Sequence, residues 1–155
     1  MKPDKNALTP PALISQIGGL YRSMRKKGTV LFREQAFPLD LDQIPVLLIA
    51  YYRNGASQHE MGVALQRDKA SINRTVGFLV ANGYASVEAS QEDRRKTIVK
   101  LTVEGKKLAR QADRILSQLN ASLSSALTAQ EQRQLQIIVN KLIEKETSTS
   151  LSFSI

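Results

Sequence analysis

Two groups of side chains carry whatever chemistry this sequence can do. One is Arg94, Arg95 and Lys96, three consecutive cations within residues 83 to 105, a stretch that reads as a hairpin leading into a helix. The other is Lys69, Ala70, Ser71, Asn73 and Arg74, on a segment of helical period. Asn and Arg offer the paired donors and acceptors that match base edges in a major groove, and small residues beside them let a backbone come close. Lysine and the remaining arginines suit phosphate. No nucleophile with an adjacent base, phosphate-binding glycine loop or metal-spaced cluster accompanies them, so the chemistry indicated is recognition of a polyanion rather than catalysis.

Composition points the same way. Among 155 residues, 22 are Lys or Arg and 14 are Asp or Glu, for a formal net charge of +8 that favours an anionic partner. The absence of cysteine excludes disulfides, thiolate metal sites and thiol-based sensing within the chain. A single histidine, His59, is too few for a zinc site of the usual kind, so neither a metal nor a cofactor is expected. No apolar run approaches the ~20 residues that span a bilayer, and Met1 to Pro11 has no apolar stretch of the signal-peptide kind. The expectation is a soluble cytoplasmic protein with no membrane partner.

The elements that must position these groups are written in apolar spacing and caps. Leu13, Ile14, Ile17, Leu20, Tyr21 and Met24 form one stripe of a first helix that Phe37-Pro38 stops. Asp40 to Gln43 fits a capping box for a second helix carrying Ile44, Leu47, Leu48 and Tyr51. Pro45 is harmless if Asp42 is the N-cap and costs a hydrogen bond if Asp40 is; the sequence leaves both open. Ser57 to Glu60 is a second box, opening a short helix to about Leu65, and Asp68 caps a further helix that runs to Asn82 with Gly83 as its left-handed C-cap. On that helix Ile72, Val76, Leu79 and Val80 should face the core, leaving Ala70, Ser71, Asn73, Arg74, Gly77 and Phe78 opposite and beside them. Val99 and Leu101 alternate with Ile98 and Lys100 as a strand, after which Thr102 caps a helix from Val103. Leu108, Ala112, Ile115, Leu116, Leu119 and Leu123 continue it, and Thr128 to Glu131 is a third box ahead of Leu135, Ile138, Val139, Leu142 and Ile143.

The implied fold is mainly α with a small β-hairpin wing. Residues 40 to 104 would form a winged helix-turn-helix DNA-binding domain. The apolar stripes of 11 to 37 and 105 to 146 exceed what so small a domain can cover, which predicts a helical dimerisation region and a homodimer. Residues 1 to 10 and 147 to 155, the latter rich in Ser and Thr, read as flexible tails.

A specific resemblance follows from the wing. Asp93, Arg95, Val99, Leu101, Thr102 and Gly105 reproduce the pattern Asp-x-Arg-x-x-x-Val-x-Leu-Thr with a glycine three residues later, and on it the segment 57 to 105 resembles the winged helix of the MarR family. Asp40 to Leu48 is similar to that family's second helix, and Leu127 to Glu131 to the start of its last. The resemblance implies a homodimeric transcriptional regulator, usually a repressor, whose recognition helices enter successive major grooves of a pseudo-palindromic operator. Half-sites would lie ~34 to 36 Å apart. It implies that Arg95 reaches a minor groove, that Asp93 braces the wing by pairing with arginine, and that Arg94 and Lys96 hold phosphate, with Gln58 and His59 facing solvent or phosphate. It implies release by a small aromatic or phenolic ligand, for which Met24, Phe32, Tyr51 and Tyr52 are the candidate pocket residues. The chain departs from the pattern at Val87 and Glu88, where arginine is frequent, at Gly62, where alanine is usual, and at Phe78, where a polar residue is common. A winged helix used only for protein interaction is the rival reading; the basic wing and the small-residue helix face favour DNA.

Overall fold

The computed structural model describes residues 10–90 and 96–152. Its elements run α1 (Pro10–Glu34), α2 (Ile44–Tyr52), α3 (Gln58–Leu65), α4 (Lys69–Ala81), β1 (Ala85–Ala89), β2 (Thr97–Leu101), α5 (Val103–Ser124) and α6 (Ala129–Ser152). The chain divides into two compact units after Leu119.

The first unit is built around α2, whose nine residues are all apolar or aromatic except Pro45 and which buries Ile44, Val46, Leu47 and Ala50. A helix without a polar face has to lie inside. Met61 of α3, Ile72, Val76 and Leu79 of α4, Ala85, Val99 and Leu101 of the hairpin, and Leu108, Ala109, Ala112 and Ile115 of α5 complete the core with Phe32 and Phe37. Each large aliphatic chain so buried contributes roughly 1.5 to 3 kcal/mol against solvent.

The two strands pair antiparallel with Ala85 opposite Leu101, Val87 opposite Val99 and Ala89 opposite Thr97. Ala56, just ahead of α3, adds a bridge to Val99: its N–H donates to the Val99 carbonyl at 3.2 Å and its carbonyl accepts from the Val99 N–H at 2.9 Å. The middle of β2 is thereby fastened to the start of the helix-turn-helix.

The base of the hairpin is fastened to α4. Gly83 takes φ +73, the left-handed conformation expected of it, and the Tyr84 N–H reaches the Leu79 carbonyl at 2.8 Å while the Gly83 N–H reaches Val80 at 3.0 Å, a Schellman closure. Thr102 Oγ1 donates to the Gly83 carbonyl at 2.7 Å and accepts the Gly105 N–H at 3.1 Å, capping α5 as expected. A Cβ on Gly105 would stand 1.9 Å from the Tyr84 oxygen, so no other residue fits there without moving the backbone. Leu101, Thr102 and Gly105, three residues of the wing pattern quoted above, thus lie at the joint between hairpin, α4 and α5.

Three expectations need correction. The N-cap of α2 is neither Asp40 nor Asp42 but Gln43, which makes no side-chain cap; its Oε1 instead accepts the Asp40 N–H at 3.0 Å, half of the expected box. Pro45 lies in the first turn, where its missing N–H costs nothing. On α4, Val80 is 40% exposed and Thr75 is buried at 4%, because 72, 75, 76 and 79 complete the stripe; the Thr75 hydroxyl is satisfied by the Ser71 carbonyl at 3.2 Å. Finally, the helix from Ala129 continues to Ser152, past the element boundary drawn at 147. Ser and Thr are weak helix formers, but no glycine or proline interrupts them. At the other end α1 begins at Pro10; residues 1 to 9 and 153 to 155 lie outside those described.

In the second unit Thr128 and Glu131 form the third capping box: the Thr128 N–H and hydroxyl both donate to Glu131 Oε2 at 2.8 Å, and the Glu131 N–H returns to Thr128 Oγ1 at 3.3 Å. Leu135, Ile138, Val139, Leu142 and Ile143 of α6 are all exposed. So are Leu13, Ile14, Ile17, Leu20 and Tyr21 of α1. Among the described residues no helix is long and apolar enough to cross a membrane.

Candidate nucleic-acid interface

The start of α3 is set by its own polar groups. Ser57 Oγ accepts the Glu60 N–H at 3.2 Å, and Glu60 Oε2 takes the Ser57 N–H at 2.7 Å and its hydroxyl at 2.8 Å. These bonds hold the Glu60 carboxyl below its ordinary range and occupy it within the cap. The helix ends at Gln66 in the left-handed region, φ 51, and the Arg67 N–H closes back on the Gly62 carbonyl at 3.0 Å. A Cβ on Gly62 would approach the Arg67 carbonyl to 3.1 Å, so the residue that departs from the family habit suits a tight turn. Asp68 then caps α4 by accepting the Ser71 N–H at 2.8 Å, which depresses its own carboxyl.

With its start fixed, α4 leaves Lys69, Ala70, Asn73, Arg74 and Gly77 exposed on one continuous face. Nothing lies within 4 Å of where a Gly77 Cβ would be. Ser71 is different: it is half-buried, and its hydroxyl accepts Arg67 Nη2 at 2.7 Å, so it supports the face rather than opening from it. Phe78 is also half-buried and packs on the core, which answers why an aromatic can stand where a polar residue is common.

A groove of about 560 Å³ runs between α3, α4 and the hairpin, and Gln58, Lys69, Asn73 and Lys96 all line it, with His59, Thr97 and Ile98. Four residues expected to bind nucleic acid, spread over 39 positions of sequence, are brought to one surface by three elements. A second hollow of about 450 Å³ continues past Gln58 and Lys69 to Gln66 and Arg67. Asp93, Arg94 and Arg95 lie outside the described residues. On the first strand Glu88 pairs with Lys100 at 3.0 Å, neutralising a cation of the second.

The four candidate pocket residues do not share a cavity. Tyr52 lines an apolar one of about 360 Å³ with Leu41, Ile44, Leu48, Leu65 and Leu116, and its hydroxyl donates to the Asp113 carboxylate, which raises the Tyr52 pKa. Phe32 is in the core, edge-on to Phe37 at 4.9 Å, and walls a separate cleft with Arg25 and Asp42. Tyr51 is half-buried against the core and Met24 half-buried on α1. Leu41, Leu48 and Leu116 were beyond sequence reasoning because an aliphatic residue beside a cavity is spelled like one without. Among the described residues no three His, Asp or Glu side chains stand together as metal ligands.

Known proteins give this geometry its context. A family model described as the MarR family matches residues 37–96. The transcriptional repressor NicR of Pseudomonas putida is 28% identical over 140 residues, 89% of each chain. A mutant of MarR from Escherichia coli complexed with operator DNA is similar with a TM-score of 0.68 and 25% identity, over 83% of this chain and 94% of that one. The fold is also that of a regulator from Listeria monocytogenes complexed with 26mer DNA, at a TM-score of 0.78 and 20% identity, over 89% and 91%. By sequence, fold and the surface that gathers its polar and basic residues, the chain is similar to the MarR family of winged-helix, DNA-binding transcriptional regulators.

Proposed function

We propose that the protein is a homodimeric repressor that reads a pseudo-palindromic operator in the cytoplasm and is released by a small aromatic or phenolic ligand. The single observation that carries the reading is the groove where Gln58, Lys69, Asn73 and Lys96 meet. In this reading residues 40 to 104 bind DNA. Asn73 and Arg74 take base edges, with Ala70 and Gly77 allowing close approach and Ser71 steadying the first turn. Lys69, Gln58, Arg94 and Lys96 take phosphate, while Arg95, braced by Asp93, enters the minor groove.

The homodimer is supported by the exposed apolar rows of α1 and α6, which an isolated chain would show to water, and residues 11 to 37 with 105 to 146 supply it. Repression is supported by the name of the relative NicR. A ligand has room in the cavity beside Tyr52, about 360 Å³ and mostly aliphatic, within the size range of small-molecule sites.

The test is a gel-shift titration at fixed salt with duplexes selected from a random pool by the wild-type chain. Arg95→Ala should weaken binding to every duplex, and Arg74→Ala should cut the preference for the selected sequence by about 1 to 3 kcal/mol. If neither variant changes binding, the assignment of this face is wrong. A winged helix used for protein interaction would also lack the steep salt slope of counterion release.

A further inference from the structure

A chain of contacts joins α1 to the first turn of α4 across three separate segments. Arg25, in the middle of α1, places Nη1 and Nη2 on the two carboxylate oxygens of Asp42 at 2.8 Å each, a paired fork between residues 17 positions apart. Asp42 precedes α2, and its main-chain carbonyl accepts Nη1 of Arg67, in the turn between α3 and α4. The other arm of Arg67, Nη2, donates to Ser71 Oγ at 2.7 Å. Ser71 is held on its remaining polar groups too, its N–H by Asp68 at 2.8 Å and its carbonyl by the Thr75 hydroxyl at 3.2 Å. Two and three residues further along the same helix stand Asn73 and Arg74.

The electrostatics favour the tie. Asp42 lies between two arginines, and hydrogen bonding to Arg25, with a further attraction to Arg67, holds its carboxyl below the ordinary carboxylate range. Both of the Arg67 arms that are accounted for are spent inside the protein, whereas an arginine serving phosphate turns its fork outward.

We propose that Arg67 is a positioning residue for DNA reading, tying the first turn of α4 through Asp42 and Arg25 to α1, so that the seat of the reading helix depends on the helix that also carries an exposed apolar row. This rests on α4 being the reader. The role is in sequence discrimination: a helix seated wrongly loses its base contacts, while phosphate contacts on flexible lysines adapt.

The test uses the full chain and two duplexes, one selected by the wild type from a random pool and one scrambled, with fluorescence anisotropy over a salt series. Arg67→Met should lower the ratio of affinities for selected over scrambled DNA by about tenfold, within the span that mutations along coupled networks produce. Affinity for the scrambled duplex and its salt slope should stay as in the wild type. Arg67→Lys should not rescue, since one ammonium cannot bridge the Asp42 carbonyl and Ser71 Oγ as a planar fork does. Arg25→Met, on the solvent side of α1 and away from the groove, is the variant least able to disturb folding. It should lower the ratio about threefold, and the double variant should be no worse than Arg67→Met alone.

Two results overturn the proposal: an unchanged ratio in Arg67→Met, or a salt slope on scrambled DNA reduced by about one in Arg67→Met, which would make it a phosphate contact. Asn73→Ala and Arg74→Ala run in parallel. If they lose discrimination while Arg67→Met does not, the tie alone fails; if they lose none, α4 is not the reader and the proposal falls with it.

Discussion

Helices α5 and α6 both start on a threonine cap, and they differ in everything that the cap does not decide. Thr102 caps α5 and also donates to Gly83, 19 residues earlier, while Gly105 in the first turn lies against the Tyr84 carbonyl. Thr128 bonds within its own box to Glu131. The stripe that follows Thr102 is buried at Leu108, Ala109, Ala112 and Ile115; the stripe that follows Thr128 is exposed at every large residue from Leu135 to Ile143 named above. A cap specifies that a helix begins. Where the helix sits is specified by contacts made far along the chain, and the apolar row of α6 stays exposed.

The largest effect should come from breaking the exposed side of that contrast. Leu142→Glu puts a charge in the α6 row, and if that row is a dimer surface the chain becomes a monomer. Loss of one of two linked half-site contacts should then cost about 100-fold or more in affinity for a palindromic duplex. Light scattering reads the mass and a gel shift the affinity. A variant that stays dimeric with unchanged affinity would show that the row serves something else, and an unchanged circular dichroism melting curve keeps misfolding out of the argument.

The buried side should break differently. Gly105→Ala drives a methyl into the Tyr84 carbonyl, which must displace the α4 to hairpin joint or the start of α5, and overpacking of this kind costs about 3 kcal/mol. Urea denaturation is the measurement. A loss under about 0.5 kcal/mol, the range of an ordinary surface change, would mean that the joint is not rigid.

The same contrast explains what could be read in advance. Ser57, Asp68, Gly83, Thr102 and Thr128 were all legible because a cap acts over three or four residues and its partners lie within sight in the sequence. The convergence of Gln58, Lys69, Asn73 and Lys96 was legible too, as the hairpin and the two short helices are joined by links too short to allow many arrangements. Asp42 was not. It carries the right side chain for an N-cap, and Arg25 takes it instead from 17 positions away, a competition with no local trace. The role of Arg67 has no local trace either, since its partners are 25 residues behind and four ahead. Val80 and Thr75 exchanged places because hydrophobicity alone ranks valine first, while the stripe geometry and an available Ser71 carbonyl favour threonine. The cavity beside Tyr52 is drawn by what does not fill it, and absence of volume has no letter in a sequence.

The smallest effect is the most discriminating, because its two consequences have opposite signs. Gly77 sits in the interior of α4 with open space around its Cα, so Gly77→Ala should stabilise the fold by about 0.5 to 1 kcal/mol through helix propensity alone, seen as a rise in the urea midpoint. That space is also the exposed face carrying Asn73 and Arg74, which in the proposed complex lies in the major groove. A methyl added there removes room rather than a contact, so affinity for the selected duplex should fall while stability rises. No loss of folding can imitate that pair of results. If stability rises and affinity is untouched, the approach to DNA ends with the turn that holds Asn73 and Arg74, and the reading face of α4 is shorter than its exposed face.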